Sequence, residues 1–274
     1  MASSKPKGLG SSLTIQELAK EPMLVIPERY VRLDNKPCSI LSEDGTSQTI
    51  PTVDMQLLLM GEATDFQLDK LHSICKEWGI FQKKSLLVKR EYKTVFGLMA
   101  KALKIDKGEM EEMFDDGMQS VRMSYYPPCP QPEKVMGLRP HSDATGITIL
   151  LQVNGVEGFQ IKKDGIWIPV SFLPDAFVVN VGDTLEILSN GLYNSIEHRV
   201  TVNSVKERMS IAMFFNPKFE AEIGPAASFL NPQNPPLFKR ISTEKYYKKY
   251  FSRRLNGKLF LEQMKTENGE DDTA

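Results

Sequence analysis

Two histidines and a carboxylate stand out in the second half of the chain. His141 and Asp143 sit two residues apart in His141-Ser142-Asp143. In extended backbone such residues project to one side, where both can reach a single ion. His198 can bring a second imidazole from a later strand. Two imidazoles and one carboxylate on one face leave three positions of an octahedral ion open. Imidazole suits iron, and the carboxylate lowers the charge of the site. An HxD triplet by itself is common, and most such histidines are surface or hydrogen-bonded residues. Arg208-Met209-Ser210, ten residues beyond His198, shifts that balance. Arg208 and Ser210 share one face of a strand, and a guanidinium fork beside a hydroxyl fits a small carboxylate in a partly buried site. Tyr126, on the polar face of an earlier strand, adds a phenol donor. Together these residues point to a metal with an anchored carboxylate co-substrate. The remaining histidine, His72, falls on the polar side of a helical pattern and receives no role.

The elements that must position these residues are legible from periodicity. From Gln119 onward the pattern has period two: Val121, Met123 and Tyr125 alternate with Arg122, Ser124 and Tyr126. Strands are predicted at Gly146–Val153, Gly158–Ile161, Trp167–Val170, Phe177–Val181, His198–Val202 and Arg208–Phe215, with Asp164-Gly165 as a hairpin turn. So many short strands imply a sandwich or jelly roll rather than a parallel sheet. Before them, Ile50–Asp54 reads as a short strand, and Pro51 confines it to an edge. Leu68, Leu71, Ile74, Cys75 and Trp78 predict a helix stopped by Gly79, and Tyr92, Val95, Phe96, Met99 and Leu103 predict another. Asp106 and Glu109 have the form of a capping box. Ile80-Phe81-Gln82 begins a strand but runs into Lys83-Lys84, which suit a buried strand poorly. Ser242–Leu255 reads as a helix carrying Tyr246, Tyr247, Tyr250 and Phe251. The fold class is therefore mainly β with flanking helices (α+β).

Composition narrows the partners. With 34 basic and 35 acidic side chains in 274 residues, the chain has no basic excess for nucleic acid or anionic lipid. No apolar run approaches the roughly 20 residues of a membrane span, and Met1–Ser12 lacks the apolar core of a signal peptide. Cys38, Cys75 and Cys129 are far apart and odd in number, which argues against a disulfide framework and for a reducing, cytoplasmic setting. Both ends, Met1–Ser12 and Lys265–Ala274 with its Glu270-Asp271-Asp272 run, read as loose and solvated.

The sequence resembles the plant Fe(II)- and 2-oxoglutarate-dependent dioxygenases, in the branch of senescence-related and alkaloid O-demethylase-like proteins. The matching segments are Ile26–Tyr30, Ile50–Asp54, Tyr125-Tyr126-Pro127-Pro128-Cys129-Pro130, Leu138–Asp143, Ser195–Val200 and Arg208–Ser210. The resemblance implies a double-stranded β-helix (jelly-roll) core, with His141, Asp143 and His198 as iron ligands. It further implies that Arg208 and Ser210, assisted by Tyr126, hold the distal carboxylate of 2-oxoglutarate. Dioxygen is the oxidant, ascorbate the supporting reductant, and succinate and CO2 the by-products. Hydroxylation, desaturation or O-demethylation of a small specialised metabolite would follow. Phe214 matches a pocket aromatic of the family, although it also reads as a core phenylalanine, and Asn194 has a weaker claim to line the pocket. A His/His/Asp zinc hydrolase fits the ligands but leaves Arg208-Met209-Ser210 without a role. A small molecule is the expected partner, and a monomer the expected state.

Two departures from the family stand out. Ser124 replaces the usual Asn before the two tyrosines, a loss of one hydrogen bond near the co-substrate worth on the order of 1 kcal/mol. After Gln82, relatives continue into an Asn-His-Gly segment and a long helix that this chain lacks. The resulting divisions are a shortened N-terminal region (1–82), a helical connector (83–117), the jelly roll (118–220) and a C-terminal helix with an acidic tail (221–274). The missing segment predicts exposed apolar surface. Its loss also raises the alternative of a catalytically impaired form that binds metal without turnover.

Overall fold

The computed structural model describes residues 15–20, 24–32, 49–59, 65–84 and 91–266. Met1–Ser12, Cys38 and Glu270–Asp272 lie outside them. A short α1 (Ile15–Leu18) precedes an edge strand β1 (Thr52–Val53), entered after Pro51, and α2 (Met55–Leu59). The predicted apolar stripe forms α3 (Asp65–Glu77), which buries Leu68, Leu71, Ile74 and Cys75. Gly79 ends that turn at φ +63°. A Cβ there would lie 1.9 Å from the Asn194 carbonyl oxygen, so only glycine permits the reversal into β2 (Ile80–Lys84). The second stripe forms α4 (Glu91–Leu103), with Val95, Phe96, Met99 and Leu103 buried. In α5 (Lys107–Phe114) the Asp106 carboxylate caps the Gly108 N–H at 2.7 Å. Glu109 does not close the expected capping box. Its carboxylate accepts from the backbone N–H groups of Ala227 at 2.6 Å and Ser228 at 3.2 Å, tying α5 to the C-terminal region instead.

The period-two half supplies β3 (Gln119–Tyr126), β4 (Leu138–His141), β5 (Ile147–Gln152), β6 (Phe159–Lys163), β7 (Ile166–Pro169), β8 (Ala176–Val181), α6 (Asp183–Leu188), β9 (His198–Val200) and β10 (Arg208–Phe215). Asp164 and Gly165, both at positive φ, make the turn between β6 and β7. A small ribbon of β11 (Glu222–Ile223) and β12 (Ile241–Ser242) leads into α7 (Thr243–Phe251), capped by Ser242, and α8 (Leu259–Glu262).

Two sheets face each other. One runs β1-β2-β8-β5-β10-β3 and the other β4-β9-β6-β7, antiparallel except where β1 pairs with β2. Ile80, Leu150, Val178, Phe159, Ile161 and Val200 fill the space between them, as a jelly roll requires. The outer face of the larger sheet packs on α3, α4 and α5 through Phe81, Ile149, Val179 and Phe215, and Phe96 stacks on Phe114 at 4.2 Å. The N-terminal strands thus belong to the same sheet as β3, β5, β8 and β10 of the period-two half, and β2 runs across the division placed at Gln82.

Lys83 departs from the sequence expectation. The strand does not end at Gln82: Lys83 pairs with Phe177 of β8 and is 0% exposed, its ammonium 5.5 Å from the Phe177 ring. Burial pulls its pKa down to about 8. The unfolded chain binds that proton more tightly, so stability should rise as pH climbs from about 8 towards the ordinary lysine value near 10. Lys83→Met, of similar shape, should remove this pH dependence. At pH 7 it should stabilise the fold by roughly 2 kcal/mol, or about 4–8 °C in Tm, read by calorimetry at pH 7 and 10. At the opposite edge of the sheet, the outer face of β3 leaves Val121 56% and Met123 79% exposed.

Candidate metal centre

His141 ends β4, His198 begins β9, and the pairing of these strands makes the two histidines register partners. Their ring centroids are 4.3 Å apart. Each imidazole is aimed by its own backbone: His141 Nδ1 lies 2.8 Å from the Arg139 carbonyl oxygen and His198 Nδ1 3.1 Å from that of Ile196. With the proton on Nδ1, each Nε2 lone pair turns inward. Asp143 Oδ1 lies 3.4 Å from His141 Nε2 and 3.6 Å from His198 Nε2. All three residues are buried, and one donor atom from each falls within 4.8 Å of the others.

The other carboxylate oxygen is held by residues that no motif singles out. Thr148 Oγ1 donates to Asp143 Oδ2 at 2.6 Å and Asn180 Nδ2 at 3.0 Å. Thr148 and Asn180 are themselves cross-strand partners on β5 and β8. Burial would raise the Asp143 carboxyl, but the His198 and His141 imidazoles and the Thr148 hydroxyl outweigh it and hold it well below the usual carboxylate range. Burial pushes His198 down to about 4, so its imidazole is neutral near pH 7. His198 offers an unprotonated imidazole beside one fixed anion, whereas at His141 burial is outweighed by Asp143, which raises its pKa, so a divalent cation would displace a proton there. Thr148→Val keeps the side-chain shape and removes one of the two bonds that orient Asp143. It should weaken Mn(II) binding about tenfold in a calorimetric titration while leaving the melting curve cooperative.

Arg208 begins β10, register-paired with Tyr126, and is 1% exposed. One guanidinium nitrogen donates to Ser210 Oγ and the other to Gln152 Oε1, both at 3.2 Å. Its Nε is buried with no hydrogen-bond partner among the described residues. Tyr126 meets Arg208 with its ring, 5.5 Å from the guanidinium carbon. Arg208, Ser210, Tyr126 and Phe214 line the same space between the sheets as His141, Asp143 and His198. Phe214 also borders a larger cavity of about 640 Å³ that opens beyond His141 and Asp143. Asn194 is placed elsewhere. Its side-chain oxygen accepts from Lys258 Nζ at 3.1 Å, and it borders neither space. His72 is half-buried, its Nδ1 3.4 Å from the Tyr193 hydroxyl.

The C-terminal segment straps β4 and the residues that follow it. Gly257 N–H donates to the Pro140 carbonyl at 2.9 Å, Tyr250 OH to that of Ser142 at 3.1 Å, and Tyr247 OH to that of Ala144 at 3.2 Å. Lys258 adds an ion pair to Glu186 at 2.6 Å.

Residues 117–217, which contain the metal, Arg208 and Ser210 positions, match the 2OG-Fe(II) oxygenase superfamily. Over 97% of this chain and 95% of the relative, the sequence is 38% identical to oxoglutarate-dependent flavonoid 7-O-demethylase 1 of Ocimum basilicum. The chain belongs to the 2OG-Fe(II) oxygenase superfamily. Codeine O-demethylase of Papaver somniferum is likewise 38% identical, over 94% of this chain and 98% of that one. The crystal structure of JOX2 in complex with 2OG, Fe and JA superposes with a TM-score of 0.79 at 26% identity, covering 94% of this chain and 99% of that one. The match to the Ocimum relative runs over 355 residues, more than the 274 of this oxygenase, so the relative carries residues without a counterpart here. Family and fold make the protein an Fe(II)- and 2-oxoglutarate-dependent oxidoreductase. The buried two-imidazole, one-carboxylate set fits ferrous iron, and the buried Arg208 with its unpartnered Nε fits a dicarboxylate. Among the described residues no helix is long and apolar enough to cross a membrane.

Proposed function

We propose that His141, Asp143 and His198 hold Fe(II) and that Arg208 and Ser210, beside Tyr126, hold the distal carboxylate of 2-oxoglutarate. The reaction is then hydroxylation, desaturation or oxidative O-demethylation of a small specialised metabolite. One observation carries the reading: three buried donor atoms converge within 4.8 Å and line the same space between the sheets as a buried Arg208. Iron and 2-oxoglutarate, when bound, supply the activation of dioxygen, placing one oxygen atom in succinate and the other in the oxidised product or in water.

The chain's own residues do the rest. The Arg139 and Ile196 carbonyls fix the two imidazoles, and Thr148 and Asn180 fix the carboxylate, so the donors need no rearrangement to bind. Gln152 and Ser210 hold the Arg208 fork in the plane that a carboxylate needs. The inner-sheet apolar residues Phe159 and Leu150 exclude water around it. The organic substrate enters the larger cavity, where Phe214 stands beside His141 and Asp143. The O-demethylase names of two relatives favour a methoxy carbon as the one oxidised. Hydroxylation there gives a hemiacetal that releases formaldehyde and leaves a hydroxyl. Ascorbate keeps the iron ferrous between turnovers. The working form is a cytoplasmic monomer that acts on a small molecule and binds neither nucleic acid nor membrane, in keeping with the balanced charge.

The test is aerobic turnover with Fe(II), 2-oxoglutarate and ascorbate against a panel of methoxylated aromatic compounds, both neutral flavonoids and carboxylic acids, following succinate and formaldehyde. Succinate that depends on iron, with formaldehyde matching it on at least one compound, is the expected result. Metal uptake without succinate would instead assign the shortened chain to binding without turnover.

A further inference from the structure

The cavity beyond His141 and Asp143 has a lopsided charge. At about 640 Å³ it has the size of a site for a small organic molecule, and Phe214, Phe219, Tyr247, Tyr250 and Phe251 give it a largely aromatic wall. Among the described residues that line it Asp143 is the only acid, whereas the guanidinium groups of two exposed arginines, Arg122 and Arg253, border it. They come from separate elements. Arg122 lies on β3 opposite Ala212, on the strand face shared with Arg208 and Phe214. It borders both this cavity and the space around Arg208, which places it on the inner side of the strand. Arg253 follows α7 and rests on the Phe260 ring, 4.6 Å from the centroid. Neither guanidinium has an ion-pair or hydrogen-bond partner among the described residues, in contrast to Arg208, which is engaged by Ser210 and Gln152.

An arginine on a surface is usually a solvated charge. Two of them bordering one apolar cavity with no free acid between them create a positive potential that low-dielectric walls concentrate. An apolar molecule entering alone would leave that potential unanswered, and a protonated amine would be repelled by it. A carboxylate answers it with charge-assisted, bidentate bonds.

We propose that the organic substrate of this oxygenase is an aromatic carboxylic acid, its carboxylate held by Arg122 and Arg253 and its ring body against Phe214 and Tyr250, with the oxidised carbon directed at the His141 and Asp143 side. This deepens the reading of the site given above and rests on it only for the fate of the bound acid. Because Arg122 also borders the space around Arg208, its assignment to the substrate rather than to 2-oxoglutarate is part of what must be tested.

The experiment uses the full chain with Mn(II) in place of iron, so that no turnover occurs, and begins with a calorimetric titration of 2-oxoglutarate. Three matched probes follow: 4-methoxycinnamate, its methyl ester and 4-methoxyphenethylamine, together with the corresponding set on a biphenyl frame. In at least one set the acid should bind roughly tenfold tighter than its ester and its amine. In the Arg122→Gln/Arg253→Gln double variant the acid should fall to within about twofold of the ester, with 2-oxoglutarate affinity and the melting temperature unchanged. The proposal is overturned if no acid exceeds its ester, if the preference survives the double variant, or if Arg122→Gln loses 2-oxoglutarate while keeping the preference. Repeating the acid titration without Mn(II) and 2-oxoglutarate separates the two readings. A preference that persists there in a protein that fails to bind 2-oxoglutarate would keep the anion site and sink the oxygenase assignment alone.

Discussion

Asp143→Ala should reduce iron-dependent succinate formation by at least roughly 100-fold, to the background of the assay. Asp143 supplies the only carboxylate among the three convergent donors, with Oδ1 at 3.4 and 3.6 Å from the two Nε2 atoms. Without it a divalent ion would meet two imidazoles and no compensating charge in a buried site, where an uncompensated charge is most costly. The substitution also strands the Thr148 hydroxyl and the Asn180 amide, both aimed at Oδ2. Asp143→Asn keeps the volume and removes the charge, so it separates loss of metal from loss of fold. It should melt cooperatively and still fail to take up Mn(II) in the range where wild type binds. Succinate formation within about threefold of wild type in either variant would move the metal away from these residues.

Arg208→Met should raise the 2-oxoglutarate dissociation constant by roughly 30- to 1000-fold, corresponding to about 2–4 kcal/mol for removing one side of a buried charged pair. The unliganded protein should respond in the opposite sense. Arg208 is 1% exposed and its Nε has no hydrogen-bond partner, so an apolar side chain of similar length should leave the empty protein as stable as wild type or more so. The pair of outcomes is diagnostic. Wild type should gain thermal stability from millimolar 2-oxoglutarate, and Arg208→Met should not. Arg208→Lys keeps the charge but loses the fork held by Ser210 and Gln152, and should fall between the two. Ser210→Ala removes one neutral partner and should cost only about fivefold. If Arg208→Met bound 2-oxoglutarate as wild type does, the co-substrate assignment would fail.

How much of this was legible in the chain depends on the range over which the signal is written. His141 and Asp143, and Arg208 and Ser210, are pairs two residues apart; β4 ends at His141 and Asp143 is aimed by Thr148 and Asn180, whereas strand period puts Arg208 and Ser210 on one side. That local rule needs no knowledge of the fold, and the resemblance to the oxygenases supplied the roles. The strands predicted from alternation form within a few residues of their expected bounds, whereas β4, which carries His141, and the short β11 and β12 are not among them. Thr148, Asn180 and Gln152 carried no such mark. Each is a polar residue inside an apolar strand, and what makes it matter is the residue opposite it. Thr148 faces Asn180 across β5 and β8, and Gln152 faces Ser210 across β5 and β10.

Lys83 shows the converse. Read locally, a lysine pair after Gln82 argues for the end of a strand. In the fold, the ladder with β8 continues through Lys84 and carries Lys83 into the core, because backbone hydrogen bonding to a neighbouring strand outweighs one unfavourable side chain. The capping pattern at Asp106 divides the same way: the Asp106 half is local and forms, while Glu109 finds better donors in a segment 118 residues away.

By itself, then, the sequence pointed to the class of chemistry and to the residues proposed to carry it, since ligand type and strand period are properties of neighbours in the chain. Tertiary structure decided which residues hold those ligands in place, that Asn194 lies with Lys258 rather than in the cavity, and that Arg122 and Arg253 border one aromatic space. Those outcomes depend on strand register and on where the C-terminal segment docks. Both are fixed by the burial of the two sheets and the closing helix together, and no stretch of sequence encodes that alone.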